Sequence, residues 1–367
     1  MKKVFIVGGH PGPALAVVEE LSERKDFEVY YVGERVVSGK TGVSYERTAA
    51  IFRGVRFIPF KSGKIGLGLM GVIGGVVEMP GAILRAVGLM RKYRPDVVLA
   101  FGGFLSTPFV IGAWCLGILR LIHDQTLVVD RANRINQWFC SKVMIGFSEV
   151  RGKFREGVEV VVTGNPLRRS LFSGKGPSWL GKVKLKKYPV VFVTGGSSGS
   201  LKLNKMVWSV LPRLLEKYVV VHQTGVMNFS QVGGVLAGLR GGLAERYFPV
   251  AEVLPEEIGE IYRVASVVVG RSGANTVTEL VAFRKPAVLV PLRIAHHGEQ
   301  EMNARWLAKF GLAEVVSEDD GGEDLLAGIE KGVAGELKLK VDKEEMGIVG
   351  DGRGAWRIVN IMEEMVK

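Results

Sequence analysis

Three glycine-rich turns are the first segments whose residue types and spacing suggest chemistry. They are Gly8-Gly9-His10-Pro11-Gly12, Gly102-Gly103-Phe104 and Gly195-Gly196-Ser197-Ser198-Gly199, and each follows a short apolar run. A glycine turn that opens a helix directs backbone N–H groups and the positive end of the helix dipole at an anion. A single turn of this kind often serves only the backbone. Three of them in one chain favour a ligand that carries phosphate groups.

A carboxylate and two amides in the C-terminal half suit the recognition of polar ligand groups. Glu279 lies a few residues after the turn Arg271-Ser272-Gly273, and one carboxylate can accept hydrogen bonds from a pair of sugar hydroxyls. Gln300 and Asn303 are three residues apart, so they share one face of a helix. Their side chains suit hydroxyl or amide recognition.

Common cofactor and metal motifs are missing from the sequence or poorly spaced. His10 stands where a G-x-G-x-x-G dinucleotide turn needs its second glycine, and the chain has no P-loop lysine motif, which disfavours NAD and ATP. His296 and His297 are adjacent and cannot share one helical face, so we expect no metal. Cys115 and Cys140 are too few for a disulfide framework or a zinc site of their own. We expect no cofactor.

The apolar pattern alternates between strand-like and helix-like segments along the chain. The strand-like runs are short and almost continuously apolar, as in parallel strands covered on both faces. They lie at Val4–Val7, Glu28–Val32, Val55–Ile58, Asp96–Phe101, Leu119–Ile122, Lys142–Phe147 and Val158–Thr163, then at Pro189–Thr194, Val219–His222, Ser266–Val269, Ala287–Val290 and Glu314–Val316. The segment Ser173–Lys187 between the two series is predicted to be a surface linker. The pattern predicts two doubly wound α/β domains, with ligands at the carboxyl ends of the strands.

Size and charge agree with two domains of different surface character. The chain has 367 residues, enough for about two domains, and a net charge of +12. Residues 1–170 hold 24 Lys and Arg against 14 Asp and Glu, whereas residues 171–367 hold 25 against 23. A basic half fits nucleic acid, an anionic membrane or a phosphorylated ligand. Nucleic acid is disfavoured because the basic residues are not interleaved with aromatic side chains.

A glycine-rich apolar segment is the candidate for membrane contact. Ile65–Met79 carries apolar residues at helical spacing, and Glu78-Met79-Pro80 is predicted to end that helix. A second apolar stripe comes next, formed by Ile83, Leu84, Val87 and Met90. The cations that flank the two stripes are Lys61, Lys64, Arg85, Arg91, Lys92 and Arg94. An apolar face bordered by cations fits an interfacial segment on anionic lipid. A helix pair that packs on the sheet is the alternative, and both can hold for different faces.

Eight short motifs carry a resemblance to a known family. They are Gly8-Gly9-His10-x-x-Pro13-Ala14-Leu15, Phe101-Gly102-Gly103-Phe104, His123-Asp124-Gln125-Thr126, Gly164-Asn165-Pro166-Leu167-Arg168, Gly195-Gly196-Ser197-Ser198-Gly199, His222-Gln223-Thr224-Gly225, Arg271-Ser272-Gly273-Ala274-Asn275-Thr276-Val277-Thr278-Glu279 and Gln300-x-x-Asn303-Ala304. Each is unspecific alone. In this order the chain resembles, over almost its whole length, the MurG family of peripheral glycosyltransferases, which add N-acetylglucosamine to lipid I in peptidoglycan synthesis.

The resemblance implies a GT-B fold, in which two Rossmann-like domains face each other across a cleft. It implies an acceptor- and membrane-facing domain at 1–163, a UDP-sugar domain at 164–353, and a last helix at 354–367 that packs back on the first domain. It also implies an inverting, metal-independent transferase that is peripheral on the cytoplasmic face of the plasma membrane. An anionic membrane surface and proteins of cell-wall synthesis are the partners that it implies.

The resemblance places UDP-N-acetylglucosamine mainly in the C-terminal domain. It implies that the third turn and Arg168 hold the diphosphate, that Glu279 binds the ribose and that Gln300 reads the sugar hydroxyls. The backbone near Leu254 would meet uracil. The implied donor-binding residues are Arg168, Gly196, Ser197, Ser198, Gly199, Leu254, Glu279 and Gln300.

The resemblance places lipid I against the N-terminal domain. The implied acceptor-binding residues are Gly9, Gly12, Gly102, Gly103, Phe104 and Asn133. The 4-hydroxyl of the muramyl sugar must lose a proton, and His10 is the leading candidate base because imidazole titrates near neutral pH. The alternative for His10 is to orient the turn or contact a phosphate. Asp124 is the second catalytic candidate, as the base or as an orienting group.

Four departures from the family pattern affect the expected acceptor side more than the donor side. The first loop is shorter, Phe104 replaces a usual Tyr, His-Asp-Gln-Thr replaces His-Glu-Gln-Asn, and Ser198 replaces a usual Gln. Two other functions stay open, transfer to another lipid acceptor and a non-catalytic membrane adaptor. An adaptor has no need of Arg168, Glu279 and Gln300, which disfavours it.

Overall fold

A computed structural model describes residues 1–34, 54–61, 69–185, 187–196, 199–292, 298–340 and 348–366, and for 69–76 and 185 it describes the backbone alone. The chain divides into two compact units, Met1–Arg168 with Asp351–Lys367, and Arg169–Gly350. The first boundary lies after Arg168 because the preceding segment is bound to the first unit. Asn165 Nδ2 donates a hydrogen bond to the Gln125 carbonyl over 2.9 Å.

The first unit is built on a seven-stranded parallel sheet with the order β3-β2-β1-β4-β5-β6-β7. The strands are β1 Lys2–Val7, β2 Phe27–Gly33, β3 Arg56–Pro59, β4 Val97–Ala100, β5 Leu119–Asp124, β6 Lys142–Ile145 and β7 Val160–Val162. The helices are α1 Pro11–Ser22, α2 Leu69–Tyr93, α3 Ser106–Cys115, α4 Arg131–Asn136 and a 3₁₀ helix at Ser148–Lys153. Helices cover both faces, so the strands are apolar throughout, as predicted.

The second unit has a six-stranded parallel sheet with the order β10-β9-β8-β11-β12-β13. The strands are β8 Val190–Thr194, β9 Val219–Gln223, β10 Tyr247–Val250, β11 Val267–Gly270, β12 Ala287–Leu289 and β13 Ala313–Val315. The helices are α5 Ser170–Ser173, α6 Leu180–Leu185, α7 Leu201–Lys217, α8 Val232–Gly238, α9 Ile258–Val264, α10 Ala274–Phe283, α11 Glu299–Lys309 and α12 Gly322–Val333, with 3₁₀ helices at Val226–Gln231 and Leu243–Arg246. The two doubly wound α/β domains predicted from the pattern are confirmed.

Strand β10 was not predicted, and its residues explain why. Pro249 interrupts the run, and a proline argues against a central strand because it cannot donate to the ladder. β10 is an edge strand that pairs with β9 alone, so the missing N–H costs little.

The predicted helix break at Glu78-Met79-Pro80 is wrong, because α2 runs through Pro80 without ending. Pro80 is exposed, so water can reach the backbone carbonyl that loses its helical donor. Ala82 and Met90 face the sheet, whereas Val77 and Leu84 are each 72% exposed. One face of this helix therefore packs on the sheet, and membrane contact by the exposed face stays a prediction. Lys64 and residues 65–68 lie outside the described residues.

The predicted surface linker at Ser173–Lys187 is wrong in its middle. Helix α6 buries Leu180 and Val183, which are three residues apart and so share one face. A Cβ on Gly174 would lie 1.8 Å from the Glu256 carbonyl, which shows how closely this segment packs. The segment is part of the second unit.

The last helix, α13 Gly354–Val366, packs on α1 in the first unit. Ile358, Val359 and Met362 are fully buried in the core that α1 also covers. Arg24 closes the contact, because its guanidinium reaches Glu363 Oε2 over 2.6 Å and Asn360 Oδ1 over 2.9 Å. None of the described helices combines the length and hydropathy that crossing a bilayer requires.

Candidate active site

The sheet of the first unit brings the first two glycine turns together. β1 and β4 are parallel neighbours with Val7 opposite Ala100, and β5 follows with Ile122 opposite Ala100. The segments that leave these strands therefore meet at one sheet edge, where doubly wound folds bind ligands.

The first two turns touch through their glycines. A Cβ on Gly9 would lie 1.9 Å from the Gly102 carbonyl oxygen, and a Cβ on Gly103 would lie 3.0 Å from the Gly9 Cα. Gly102 and Gly103 have φ of 68° and 67°, a region that side chains disfavour. The close approach explains three of the predicted site glycines by backbone contact, beside any contact with a ligand.

His10 lies directly over this contact and faces Asp130. His10 Nε2 is 3.7 Å from Asp130 Oδ2, and the side chains are 37% and 25% exposed. Asp130 caps α4, and its Oδ1 also accepts the N–H of Gly103 over 3.2 Å. Burial acts to raise the pKa of Asp130, but the facing His10 and the N–H groups of Ala132 and Gly103 together outweigh it and hold the pKa below its usual value.

Asp130 was missed in the sequence, although one signal was available. It directly precedes a helical segment, and an Asp there is a strong N-cap signature. Its carboxylate occupies the Gly103 N–H that we expected to face an acceptor phosphate. Pro11 and Pro13 also lack N–H groups, so the start of α1 offers few backbone donors.

The other predicted acceptor residues at these turns are partly accessible. Gly12 lies in the first turn of α1 and is partly buried. Phe104 follows Gly103 before α3 and is likewise partly buried. Their expected acceptor contacts stay predictions.

Asp124 and Asn133 form a buried layer beneath the turns. Asp124 is 1% exposed, and its Oδ2 accepts hydrogen bonds from the Asp130 N–H over 2.9 Å and from Asn133 Nδ2 over 3.1 Å. Its Oδ1 accepts the Thr126 N–H over 3.2 Å. Burial raises the pKa of Asp124 to about 6, although these bonds act to lower it.

The burial of Asn133 corrects its predicted role. Its side chain is fully buried, donates to Asp124 and to the His123 carbonyl, and accepts from Asn136 Nδ2. Asn133 therefore supports the layer below the site rather than facing an acceptor. For Asp124, the same enclosure favours the orienting alternative over that of a base.

In the second unit, β8 and β11 place the third turn beside the arginine motif. Thr194 lies opposite Gly270, so the turn after β8 adjoins Arg271 after β11. Arg271 Nη2 donates to Ser200 Oγ over 2.5 Å and pairs with the almost buried Glu318. Ser200 caps α7 by accepting the Leu203 N–H over 3.4 Å.

The third turn is held by its own backbone and by Thr194. The Gly196 N–H donates to Thr194 Oγ1 over 3.1 Å, and the Gly199 N–H donates to the Gly196 carbonyl over 3.0 Å. Gly199 has φ of 71°, and a Cβ there would lie 2.2 Å from the Thr224 carbonyl oxygen. Only glycine fits at this position. The predicted contacts Ser197 and Ser198 lie outside the described residues.

A buried chain of polar side chains supports the same turn from below. Asn204 Nδ2 donates to the Thr224 carbonyl over 2.9 Å, which leaves Asn204 Oδ1 to accept from His222 Nε2 over 3.1 Å. His222 Nδ1 then accepts from the Tyr247 hydroxyl over 3.1 Å. Trp208 Nε1 donates to that hydroxyl over 3.0 Å, so every donor has an acceptor. Burial lowers the pKa of His222 to about 3.

Gln300 and Asn303 are joined to the arginine motif through Ser272. Ser272 Oγ donates to the Gln300 carbonyl over 2.7 Å, and Asn303 Nδ2 donates to the Ser272 carbonyl over 3.0 Å. Gln300 Oε1 accepts the Leu292 N–H over 3.0 Å. Gln300 is partly exposed, whereas Asn303 is fully buried and serves the backbone.

The remaining predicted donor residues lie on separate elements. Glu279 is partly buried on α10 and accepts a hydrogen bond from the Tyr262 hydroxyl. Leu254 is exposed, but Glu257 Oε2 accepts its N–H over 3.1 Å and its carbonyl accepts the Glu257 N–H. Arg168 ends the first unit and is partly buried, and its expected place at the diphosphate stays a prediction.

The described residues contain no group of three or more His, Cys, Asp and Glu side chains that could hold a metal ion. His296 and His297, the pair considered for a metal, lie outside the described part of the chain.

Comparisons with known proteins match both units. Residues 7–145 match the glycosyltransferase family 28 N-terminal domain, and residues 190–351 match the glycosyltransferase family 28 C-terminal domain. A UDP-N-acetylglucosamine–N-acetylmuramyl-(pentapeptide) pyrophosphoryl-undecaprenol N-acetylglucosamine transferase of Bacillus cereus is 33% identical over 330 residues, covering 87% of this chain and 88% of the relative. The transferase of this name from Clostridium kluyveri is 31% identical over 375 residues and covers 99% of both chains.

A solved structure shows the fold. The crystal structure of Acinetobacter baumannii MurG matches 99% of this chain and 100% of its own, with a TM-score of 0.71 and 23% identity. The GT-B fold that the sequence predicted is confirmed.

Proposed function

The chain belongs to the MurG family of glycosyltransferases, and we propose that it transfers N-acetylglucosamine from UDP-N-acetylglucosamine to the 4-hydroxyl of the muramyl sugar of lipid I. The product is lipid II, the lipid-linked disaccharide that peptidoglycan synthesis consumes. The observation that carries the assignment to this chain is the cluster around the carboxyl end of β11, where Arg271 Nη2 donates to Ser200 Oγ and the adjacent Ser272 Oγ donates to the Gln300 carbonyl.

We assign the donor to this cluster in the second unit. A UDP leaving group gains negative charge as the glycosidic bond breaks, and fixed N–H groups and dipoles stabilise such charge without moving. The glycines Gly196 and Gly199 lie just before α7. This helix has 17 residues, and the positive end of its dipole favours anions at its start. Glu279 binds the ribose hydroxyls, and Gln300 reads the hydroxyls of the transferred sugar.

The acceptor reacts at the first unit, where His10 takes the hydroxyl proton. The hydroxyl oxygen attacks the anomeric carbon from the side opposite UDP, so the configuration inverts. His10 is partly exposed at the meeting point of two turns, whereas Asp124 is enclosed, and this difference supports His10 as the base. Asp124 takes the orienting role, because it holds the backbone of Asp130 and the side chain of Asn133. The charge on UDP is met by protein groups, and the reaction needs no metal.

We further propose that the first unit binds the cytoplasmic face of the plasma membrane as a peripheral protein. Val77 and Leu84 are one heptad apart on the outer face of α2, each 72% exposed. The exposed cations Lys61, Arg85 and Lys92 outnumber the one carboxylate, Glu78, in the lining of a cavity of about 750 Å³ that also includes the apolar Phe60 and Leu89. Such a border of cations around apolar side chains favours anionic lipid.

Two exposed tryptophans extend the apolar surface of the first unit. Trp114 lies in the last turn of α3 and packs edge-on against Phe139 at 5.4 Å, and Trp138 lies under the Arg155 guanidinium at 5.3 Å. Tryptophan beside arginine is typical of the interfacial layer of a bilayer. Helix α2 packs on α3, so both sets belong to the same side of the sheet.

An acceptor panel tests the function. Purified chain is given UDP-N-acetylglucosamine with lipid I, with diacylglycerol, or with an undecaprenyl pyrophosphate that lacks the muramyl sugar. We expect transfer to lipid I alone, whereas transfer to another lipid supports the related-transferase alternative. If Glu279→Ala abolishes transfer but still restores growth of cells depleted of their own enzyme, a non-catalytic adaptor role is supported instead.

A further inference from the structure

The contact between His10 and Asp130 goes beyond the assignment of a base. His10 Nε2 lies 3.7 Å from Asp130 Oδ2, a distance at which a carboxylate favours the protonated imidazole. Both side chains are partly exposed, so the pair lies where a ligand can reach it.

The two oxygens of Asp130 have different partners. Oδ1 accepts the N–H groups of Ala132 over 2.8 Å, Asn133 over 3.4 Å and Gly103 over 3.2 Å. Oδ2 is the oxygen that faces His10. The backbone of Asp130 is itself held, because its N–H donates to Asp124 over 2.9 Å. The carboxylate is therefore fixed by the fold, with one oxygen turned to the imidazole.

We propose that Asp130 is a positioning residue that holds the imidazole of His10 and stabilises the imidazolium formed when His10 takes the acceptor proton. The inference rests on the proposed function. The hydroxyl proton moves to the imidazole, the hydroxyl oxygen bonds to the anomeric carbon, and the bond from that carbon to UDP breaks with its electron pair. The positive charge on the ring then faces the negative charge of Asp130.

The other titratable groups around His10 support this division of roles. His123 is buried on β5 behind the pair, and burial lowers its pKa to about 4, so it stays neutral at neutral pH. Asp124 lies one layer below and is bound to the backbone of Asp130. Asp130 is the carboxylate that faces His10 Nε2, over 3.7 Å.

Asp130 also makes the second turn less suited to binding a phosphate group. The Gly103 N–H is already given to a carboxylate, and an anion beside Asp130 would meet like charge. The two touching turns therefore serve to place His10 against Asp130.

Asp130→Asn separates positioning from capping. Asparagine caps a helix as well as aspartate, and its oxygen can accept the same three N–H groups, but it carries no charge. We expect kcat to fall by on the order of tenfold or more, KM for UDP-N-acetylglucosamine to stay within about twofold, and the thermal midpoint to stay within a few degrees. The acid limb of the kcat profile should move down by about one pH unit. In a His10→Gln background, D130N should change kcat no further.

The proposal is overturned if D130N keeps the kcat and pH profile of the unaltered chain while Asp130→Ala loses stability, because Asp130 is then a helix cap alone. A readout without turnover keeps this result apart from failure of the proposed function. The imidazole of His10, assigned by its loss in His10→Gln, is titrated by NMR in the unaltered chain and in D130N. A midpoint about one pH unit lower in D130N supports the pair even if no sugar is transferred, and equal midpoints contradict it.

Discussion

The Tyr262 hydroxyl on α9 donates a hydrogen bond to Glu279 Oε2 on α10 over 3.0 Å. The tyrosine ring is held independently, edge-on to Phe192 at 6.0 Å and tilted against Phe283 at 5.5 Å. The carboxylate that we assign to ribose is thus aimed by a hydroxyl on a rigid ring.

Tyr262→Phe keeps the ring packing and removes this one bond. Loss of a single hydrogen bond typically costs about 0.5–1.5 kcal/mol, so the Kd for UDP should rise about two- to tenfold. Calorimetric titration with UDP measures the change, and kcat at saturating donor should stay within about twofold.

The matched variant Glu279→Gln should raise the Kd for UDP more than Tyr262→Phe does, because it removes the carboxylate itself. An unchanged Kd in Glu279→Gln would contradict the ribose assignment. An unchanged Kd in Tyr262→Phe alone would limit the contradiction to the aiming role of the tyrosine.

Gly199→Ala should destabilise the second unit more than Gly196→Ala does. Both glycines have positive φ, 71° and 83°, and each alanine should cost about 1–2 kcal/mol for that reason. At Gly199 the new Cβ also meets the Thr224 carbonyl at 2.2 Å, whereas the described surroundings of Gly196 hold no atom within 4 Å. Forced packing adds about 1–3 kcal/mol. Urea unfolding measures the free energy of unfolding of both variants. Equal losses in Gly199→Ala and Gly196→Ala would contradict the close contact of the turn with Thr224.

His222→Gln should reduce the amount by which the free energy of unfolding falls as the pH is lowered. Burial lowers the folded pKa of His222 to about 3, below the ordinary value of about 6.5 in the unfolded chain. The unfolded chain therefore binds the proton first, and stability falls as pH decreases from about 6.5 toward 3.

From pH 6.5 to 5 this linkage amounts to about 1.5 kcal/mol for one such histidine. Urea unfolding at the two pH values should show a loss smaller by about that amount in His222→Gln. Both proteins keep His123, whose buried imidazole also lowers the stability of the folded protein as pH falls. Its contribution is therefore the same in both and cancels in the comparison. Identical pH dependence in the two proteins would contradict a buried neutral His222.

Val77→Ser with Leu84→Ser should weaken membrane binding. Burying a Val or Leu side chain contributes about 1.5–3 kcal/mol, so losing two should lower the partition into lipid by tenfold or more. Co-sedimentation with phosphatidylglycerol-containing vesicles measures it, and vesicles of phosphatidylcholine alone should bind less. Met227→Ser on the second unit, where Met227 is 83% exposed, is the control and should leave binding unchanged. Equal loss in both proteins would show nonspecific apolar adsorption.

The fold was predictable because parallel strands leave a plain signal. Continuous apolar runs marked every described strand except β10, whose Pro249 belongs to an edge. Helix ends were less readable. Pro80 suggests a break, but an exposed proline can stay within a helix that is held by core contacts at Ala82 and Met90.

Residue type alone was enough to select candidates for the site, as for His10, Glu279 and the glycine turns, and their contacts with a ligand stay predictions. It was not readable where burial decides the role. Asn133 has the chemistry of a ligand contact, but the fold directs it to Asp124. Asp130 has the sequence signature of a helix cap, and its second role depends on the approach of two turns that lie far apart in the chain.

The decisive experiment identifies the product that the purified chain makes from UDP-N-acetylglucosamine and lipid I. Mass spectrometry and NMR of the lipid product give the added group, the linked hydroxyl and the anomeric configuration, and released UDP is counted in parallel. We expect one N-acetylglucosamine on the muramyl 4-hydroxyl with inverted configuration, and one released UDP for each sugar transferred. UDP release without sugar on the lipid, or a product that keeps the donor configuration, would contradict this expectation.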